Sequence, residues 1–165
     1  MEIVYLETSF ISLLVGNPSR DLITAANQQV TRDWWRLRRP DFLCIASDEV
    51  AREASLGDAG LARRRLEVLA GLTFVKPSQE AEDLAQAFRA NGALPPKAQT
   101  DAAHLALATA ARADYLLTWK CRHLANAQIL RQLEREALSQ GWRLPNVCTP
   151  AELMGDLPYE DEADA

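Results

Sequence analysis

The chain is 165 residues long with a formal net charge of −5, 48% hydrophobic and 25% charged residues, which suits one globular domain with a sizeable core. An acidic balance argues against general nucleic-acid binding, which runs on a basic surface and counterion release, and no stretch is apolar enough for a membrane span. Three widely spaced cysteines, Cys44, Cys121 and Cys148, and no basic segment ahead of the first short apolar run lead us to expect free thiols, no secretory leader and a cytoplasmic protein.

In chain order, Ile3 to Leu6 is an apolar run that reads as a buried strand, ended by Glu7 and entering a helix at Thr8-Ser9. A helical pattern follows from Leu22 to Leu37, then a strand from Phe42 to Ala46 and a helix through Ser47 to Glu53. Gly57-Asp58 breaks the pattern before a helix from Ala59 to Ala70; Gly71 precedes a strand from Leu72 to Val75. Lys76-Pro77-Ser78 links that strand to a helix from Gln79 to Arg89, for which Ser78 suits the N-terminus. After the loop Asn91 to Pro96, an alanine-rich helix is predicted from Asp101 to Ala111, a strand from Tyr115 to Trp119, a helix from Ala127 to Ser139 and a short strand around Val147. Strands that are apolar throughout, alternating with helices, predict a three-layer α/β/α sandwich with a central, mainly parallel sheet of four or five strands. Residues 1–155 read as one domain, and 156–165 as a disordered acidic tail.

In such sheets ligands bind beyond the carboxyl ends of the strands, where Glu7 and Lys120 both fall. A carboxylate ending a buried strand needs cations or donors; the plainer account of Glu7 is support of the next helix dipole, with Thr8 or Ser9 as the cap. Glu53 shares a helix face with Val50, whereas Asp48 and Glu49 are explained by the first turn of their helix. Asp101 is either a cap or a ligand aimed into the cleft, and His104 lies one turn on, where core packing or support of a ligand is expected. Separated carboxylates that converge in a fold are how proteins hold Mg²⁺ or Mn²⁺ for phosphate chemistry. Cys121 and His123 without a second pair are too little for zinc. The basic clusters Arg32, Arg36, Arg38, Arg39 and Arg63 to Arg65 are either solvated helix faces or a substrate patch. Trp34, Trp35 and Trp119 suit packing better than base stacking.

Three segments together resemble a PIN domain of the VapC-like branch found in bacterial toxin–antitoxin systems: Tyr5-Leu6-Glu7-Thr8-Ser9-Phe10-Ile11-Ser12, Val50 to Asp58, and Asp101 through Tyr115-Leu116-Leu117-Thr118-Trp119-Lys120 to Ala127. The resemblance extends as far as Met154 and implies a metal-dependent endoribonuclease, a phosphodiester hydrolase leaving a 5′-phosphate. Glu7, Glu53 and Asp101 then take the three acidic, catalytic positions. Mg²⁺ or Mn²⁺ would be held by Glu7 and Asp101, with Glu53 completing the cluster directly or through water. Thr8, Ser9, His104, Thr118 and Lys120 would support the ligands or touch substrate. RNA, a cognate antitoxin and a second copy of the chain are the implied partners.

The sequence departs from the family at two places. Glu7 is a methylene longer than the usual aspartate, and Lys120 stands where many members carry an acidic residue and this branch often an asparagine. Two like charges about 4 Å apart interact by roughly 4 kcal/mol at an effective dielectric near 20, ample to weaken a divalent site. Lys120 could replace the metal between the carboxylates, swing out to a substrate phosphate, or snorkel to solvent beside Trp119. Weak metal affinity and low activity are therefore expected, with a degenerate PIN domain that binds protein or RNA as the alternative. A phospho-acceptor receiver domain, hinted at by Lys76-Pro77, is set aside because the middle strand ends in Ala46-Ser47 rather than an aspartate.

Overall fold

In the computed structural model, which describes residues 1–156, the chain forms a five-stranded, all-parallel sheet within a three-layer α/β/α sandwich. The strands are β1 (Ile3–Leu6), β2 (Leu43–Ser47), β3 (Thr73–Val75), β4 (Tyr115–Leu117) and β5 (Asn146–Cys148). The helices are α1 (Thr8–Val15), α2 (Leu22–Leu37), α3 (Asp48–Ala54), α4 (Ala59–Ala70), α5 (Gln79–Ala90), α6 (Gln99–Ala110) and α7 (Ala127–Ser139). The acidic tail expected over 156–165 lies outside the described residues except for Asp156.

Sheet order is β3-β2-β1-β4-β5. The chain steps outward from β1 to β2 and β3, then returns to the far side of β1 for β4 and β5. That reversal places a topological switch between β1 and β4, the position where open α/β sheets bind ligands. Tyr5 pairs with Ile45 on one side and Leu116 on the other, so β1 is central and flanked on both edges. Val4, Tyr5 and Leu6 are fully buried, which is why the run carries no polar alternation.

Every helix but α6 begins where a side chain satisfies one of its first amide groups. Asp21, Ser47, Asp58, Ser78 and Asn126 each accept from a backbone N–H inside the following helix. Gly57 takes a left-handed φ of 83° that lets the chain turn between α3 and α4. Phe10 meets Trp34 edge-on at 5.5 Å and Trp34 stacks on Phe42 at 5.7 Å, tying α1 and α2 to the start of β2.

Several predicted boundaries move by one or two residues, four of them for a clear local reason. Phe42 closes a 3₁₀ turn over Arg39–Asp41 instead of opening β2. Leu72 still donates back to Leu69, so β3 starts one residue later. Pro95-Pro96 launches a 3₁₀ turn, Pro96–Ala98, that runs into α6 two residues before Asp101. Finally, β4 ends at Leu117 because the amides of Trp119 and Lys120 turn to hydroxyl groups rather than to β5.

Candidate active site

Glu7 is wholly inaccessible at the carboxyl end of β1. Its Oε2 accepts from the Ser9 N–H at 3.0 Å, from the Ser9 hydroxyl and from the Thr118 hydroxyl at 2.9 Å. Glu7 itself caps α1, so the cap is neither Thr8 nor Ser9. The two hydroxyls in turn accept from the backbone just past β4: Trp119 N–H to Ser9 Oγ at 2.8 Å and Lys120 N–H to Thr118 Oγ1 at 3.0 Å. The turn that carries Lys120 is thereby fixed to the carboxylate it faces.

The other oxygen of Glu7 is different. Oε1 is buried without a hydrogen-bond donor among the described residues, and the Lys120 ammonium lies 3.4 Å away. The same Nζ donates to Asp101 Oδ1 at 2.8 Å. Asp101 is 3% exposed and makes no capping bond at the start of α6, which settles its sequence ambiguity against a cap. Lys120 therefore bridges the two carboxylates that the resemblance assigns to a metal, and it does not snorkel to solvent. Burial opposes the lysine's charge, but Glu7, the Asp101 hydrogen bond and Glu53 outweigh it and push its pKa up to about 12.

Glu53 reaches the same region from α3. Its Oε1 accepts from the Thr8 hydroxyl at 2.7 Å and is hydrogen-bonded to His104 Nε2. Burial works against the Glu53 charge, yet the His104 bond, the imidazole's charge when protonated, Thr8 and Lys120 prevail and hold the carboxyl down at about 2. Asp48 is exposed and Glu49 pairs with Arg52, so neither joins the cluster.

Behind Glu53 lies a connection that the sequence hardly signals. His104 Nδ1 is 2.9 Å from the Tyr5 hydroxyl, which is 2.7 Å from Ser47 Oγ. The one hint was a tyrosine in an otherwise aliphatic buried strand, whose hydroxyl must find a partner. Burial drives the Tyr5 pKa far up, so the phenol keeps its proton.

The other sequence candidates have structural work. Arg65 donates to the carbonyls of Ala54 and Leu56, and Arg32 to that of Gly16. Trp34 is buried, and Trp119 donates to Thr31 Oγ1 at 2.8 Å. The three cysteines are free, with Cys44 and Cys148 buried and Cys121 exposed.

As a cation site, the oxygens of Glu7 and Asp101 are hard donors of the kind Mg²⁺ and Mn²⁺ take. Glu7 Oε1 is a buried acceptor with no hydrogen bond. Among the described residues, Glu7, Glu53 and His104 form a group of potential ligand atoms within 4.8 Å of one another. The donor set fits a divalent cation once the ammonium withdraws. No protein-family model matches this chain, and no curated protein matches it.

Proposed function

We propose that the chain is a divalent-cation-dependent endoribonuclease of the toxin–antitoxin type, with Lys120 lowering its metal affinity. The observation that carries the reading is the buried Glu7 Oε1, aimed with Asp101 at one cationic position on the carboxyl edge of the sheet. Glu7 and Asp101 would hold Mg²⁺ or Mn²⁺, with Glu53 beside them. Bound there, such a cation supplies charge for the scissile phosphate and eases formation of the attacking hydroxide.

The chain's own groups then have definite tasks. Ser9 and Thr118 keep Glu7 Oε2 occupied, so Oε1 is the oxygen free to bind. Glu53, kept ionised, is a proton acceptor that can orient water for attack on phosphorus. Lys120 is more than a third exposed at its side chain and long enough to leave the carboxylates for a substrate phosphate. A cognate antitoxin and a second copy of the chain remain the partners that the sequence resemblance implies.

A second reading has one observation in its favour. The ammonium already neutralises both carboxylates, as it would in a PIN-like domain that has lost catalysis and binds RNA or protein. Mn²⁺ calorimetry with labelled-RNA cleavage separates the two. The nuclease reading expects weak binding and cleavage in the wild type, both lost in Asp101→Asn, and tighter binding in Lys120→Asn. Failure of both wild type and Lys120→Asn to bind or cut would leave the degenerate domain.

A further inference from the structure

We infer that Tyr5 is a positioning residue: through His104 it fixes one oxygen of Glu53 and leaves the other as the only one Glu53 can offer to the reaction. The inference rests on the nuclease reading for its consequence, but its core is a hydrogen-bond count that stands without it. The chain of contacts runs Val50 N–H, Ser47 Oγ, Tyr5 Oη, His104 imidazole, Glu53 Oε1.

Each proton in that chain can be placed. An ionised Glu53 only accepts, so His104 Nε2 must be the donor. In the neutral imidazole, Nδ1 is then an acceptor, and the Tyr5 hydroxyl donates to it. Tyr5 oxygen accepts from the Ser47 hydroxyl, whose oxygen accepts from Val50 N–H at 3.3 Å. Every donor has an acceptor. With the imidazole protonated at both nitrogens, Nδ1 donates to Tyr5 and Tyr5 donates to Ser47. The Ser47 proton is then left with no acceptor among the described residues, at a position 1% exposed. Buried donors are rarely abandoned in this way. The network therefore favours the neutral imidazole with its proton on Nε2.

The consequence falls on Glu53. Its Oε1 accepts from both His104 and Thr8, whereas Oε2 has no hydrogen bond to protein among the described residues. A carboxylate held in this way cannot rotate to exchange its oxygens, so it presents a single acceptor of fixed direction. Such outer partners often matter as much as the group they orient.

The test uses the full chain with isotopically labelled histidine at mildly alkaline pH, the other histidine, His123, being assigned by His123→Gln. Imidazole nitrogen NMR should show His104 protonated at Nε2 and bare at Nδ1. In Tyr5→Phe the Nε2 proton should stay, because Glu53 still accepts it, but the Nδ1 resonance should move as it loses the Tyr5 hydroxyl, and RNA cleavage should drop about tenfold with KM nearly unchanged. A wild-type spectrum with the proton on Nδ1 overturns the inference, and this result needs no variant to fold. So does a Tyr5→Phe protein whose Nδ1 resonance does not move. If the spectra are as expected but neither protein cuts RNA, the nuclease reading fails and the positioning of Glu53 by Tyr5 stands.

Discussion

The two ends of the sheet make opposite use of acidic residues. At the amino end, a cavity of about 510 Å³ is lined by Glu2, Arg112, Asp114, Trp142 and Arg143 among others. Its carboxylates do ordinary work: Asp114 accepts from the Ile3 N–H at 2.7 Å in an exposed setting. At the carboxyl end Glu7 is fully buried, Asp101 nearly so, and one lysine serves both. Desolvated charge chooses the carboxyl end, because burying a carboxylate is costly and persists only with a partner or a purpose.

The largest expected effect would break this contrast outright if it failed. Glu7→Gln or Asp101→Asn should lower RNA cleavage by roughly 100-fold or more, since removing a ligand costs at least what removing its support does. Asp114→Asn at the other end should leave cleavage within about twofold, as expected for a surface hydrogen bond. Equal losses at the two ends, measured with the same labelled RNA, would end the distinction.

Lys120→Asn sharpens it. Removing a like charge from the cation position should raise Mn²⁺ affinity about tenfold or more by calorimetry. Without metal the same variant should lose on the order of 2 kcal/mol of stability, a figure discounted because the lysine side chain is 36% exposed. Denaturant titration with and without Mn²⁺ should therefore show a larger metal-induced gain in the variant than in the wild type.

A third outcome concerns pH. Glu53 is held below its ordinary 4.5 at about 2, so its bonds contribute fully above 4.5 and are lost as pH falls toward 2. Glu53→Gln should flatten that acid limb. Lys120 is displaced the other way: its contribution is complete below 10.5 and fades as pH rises through about 12. Thermal melts across both limbs check the two signs.

The smallest effect belongs to the amino end. Arg112 follows α6 with a left-handed φ of 55° and lies 5.6 Å from the Trp142 ring. Arg112→Gly relieves the backbone and loses the cation–π contact. Each is worth about 1 kcal/mol, so stability should change by about 0.5 kcal/mol or less. Cleavage should be unaffected.

Much of the fold was legible because its signals are local. β1, α2, α4 and α7 fall at their predicted residues, set by apolar runs, by caps such as Asp21 and Asn126, and by Gly71. The strand ends were less legible: Trp119 reads as strand until one knows that its amide bonds Ser9, 110 residues away. The same limit governs the site. Glu7, Glu53, Asp101 and Lys120 stood out by type and placement, but the inward course of Lys120 depends on a turn held by Ser9 and Thr118. Tyr5 and Ser47 gave almost no sign, because their roles exist only once β1, β2 and α6 are side by side.

The central place of β1 also has a consequence for synthesis. Its partner β2 leaves the ribosome soon after it, but Thr118, which bonds Glu7, comes 111 residues later. At 5–20 residues per second that interval is on the order of ten seconds. During it, β1 has one bare edge on an apolar strand, the kind of edge that recruits other chains. Glu7, still without its lysine, puts a solvated negative charge at the end of that edge. We expect a ribosome-stalled chain ending at Ala113 to leave the amides that face β4, such as that of Glu7, open to hydrogen exchange, and the released chain to close them. The nascent protein would then lack any assembled acidic centre until the segment from Thr118 to Lys120 had been made.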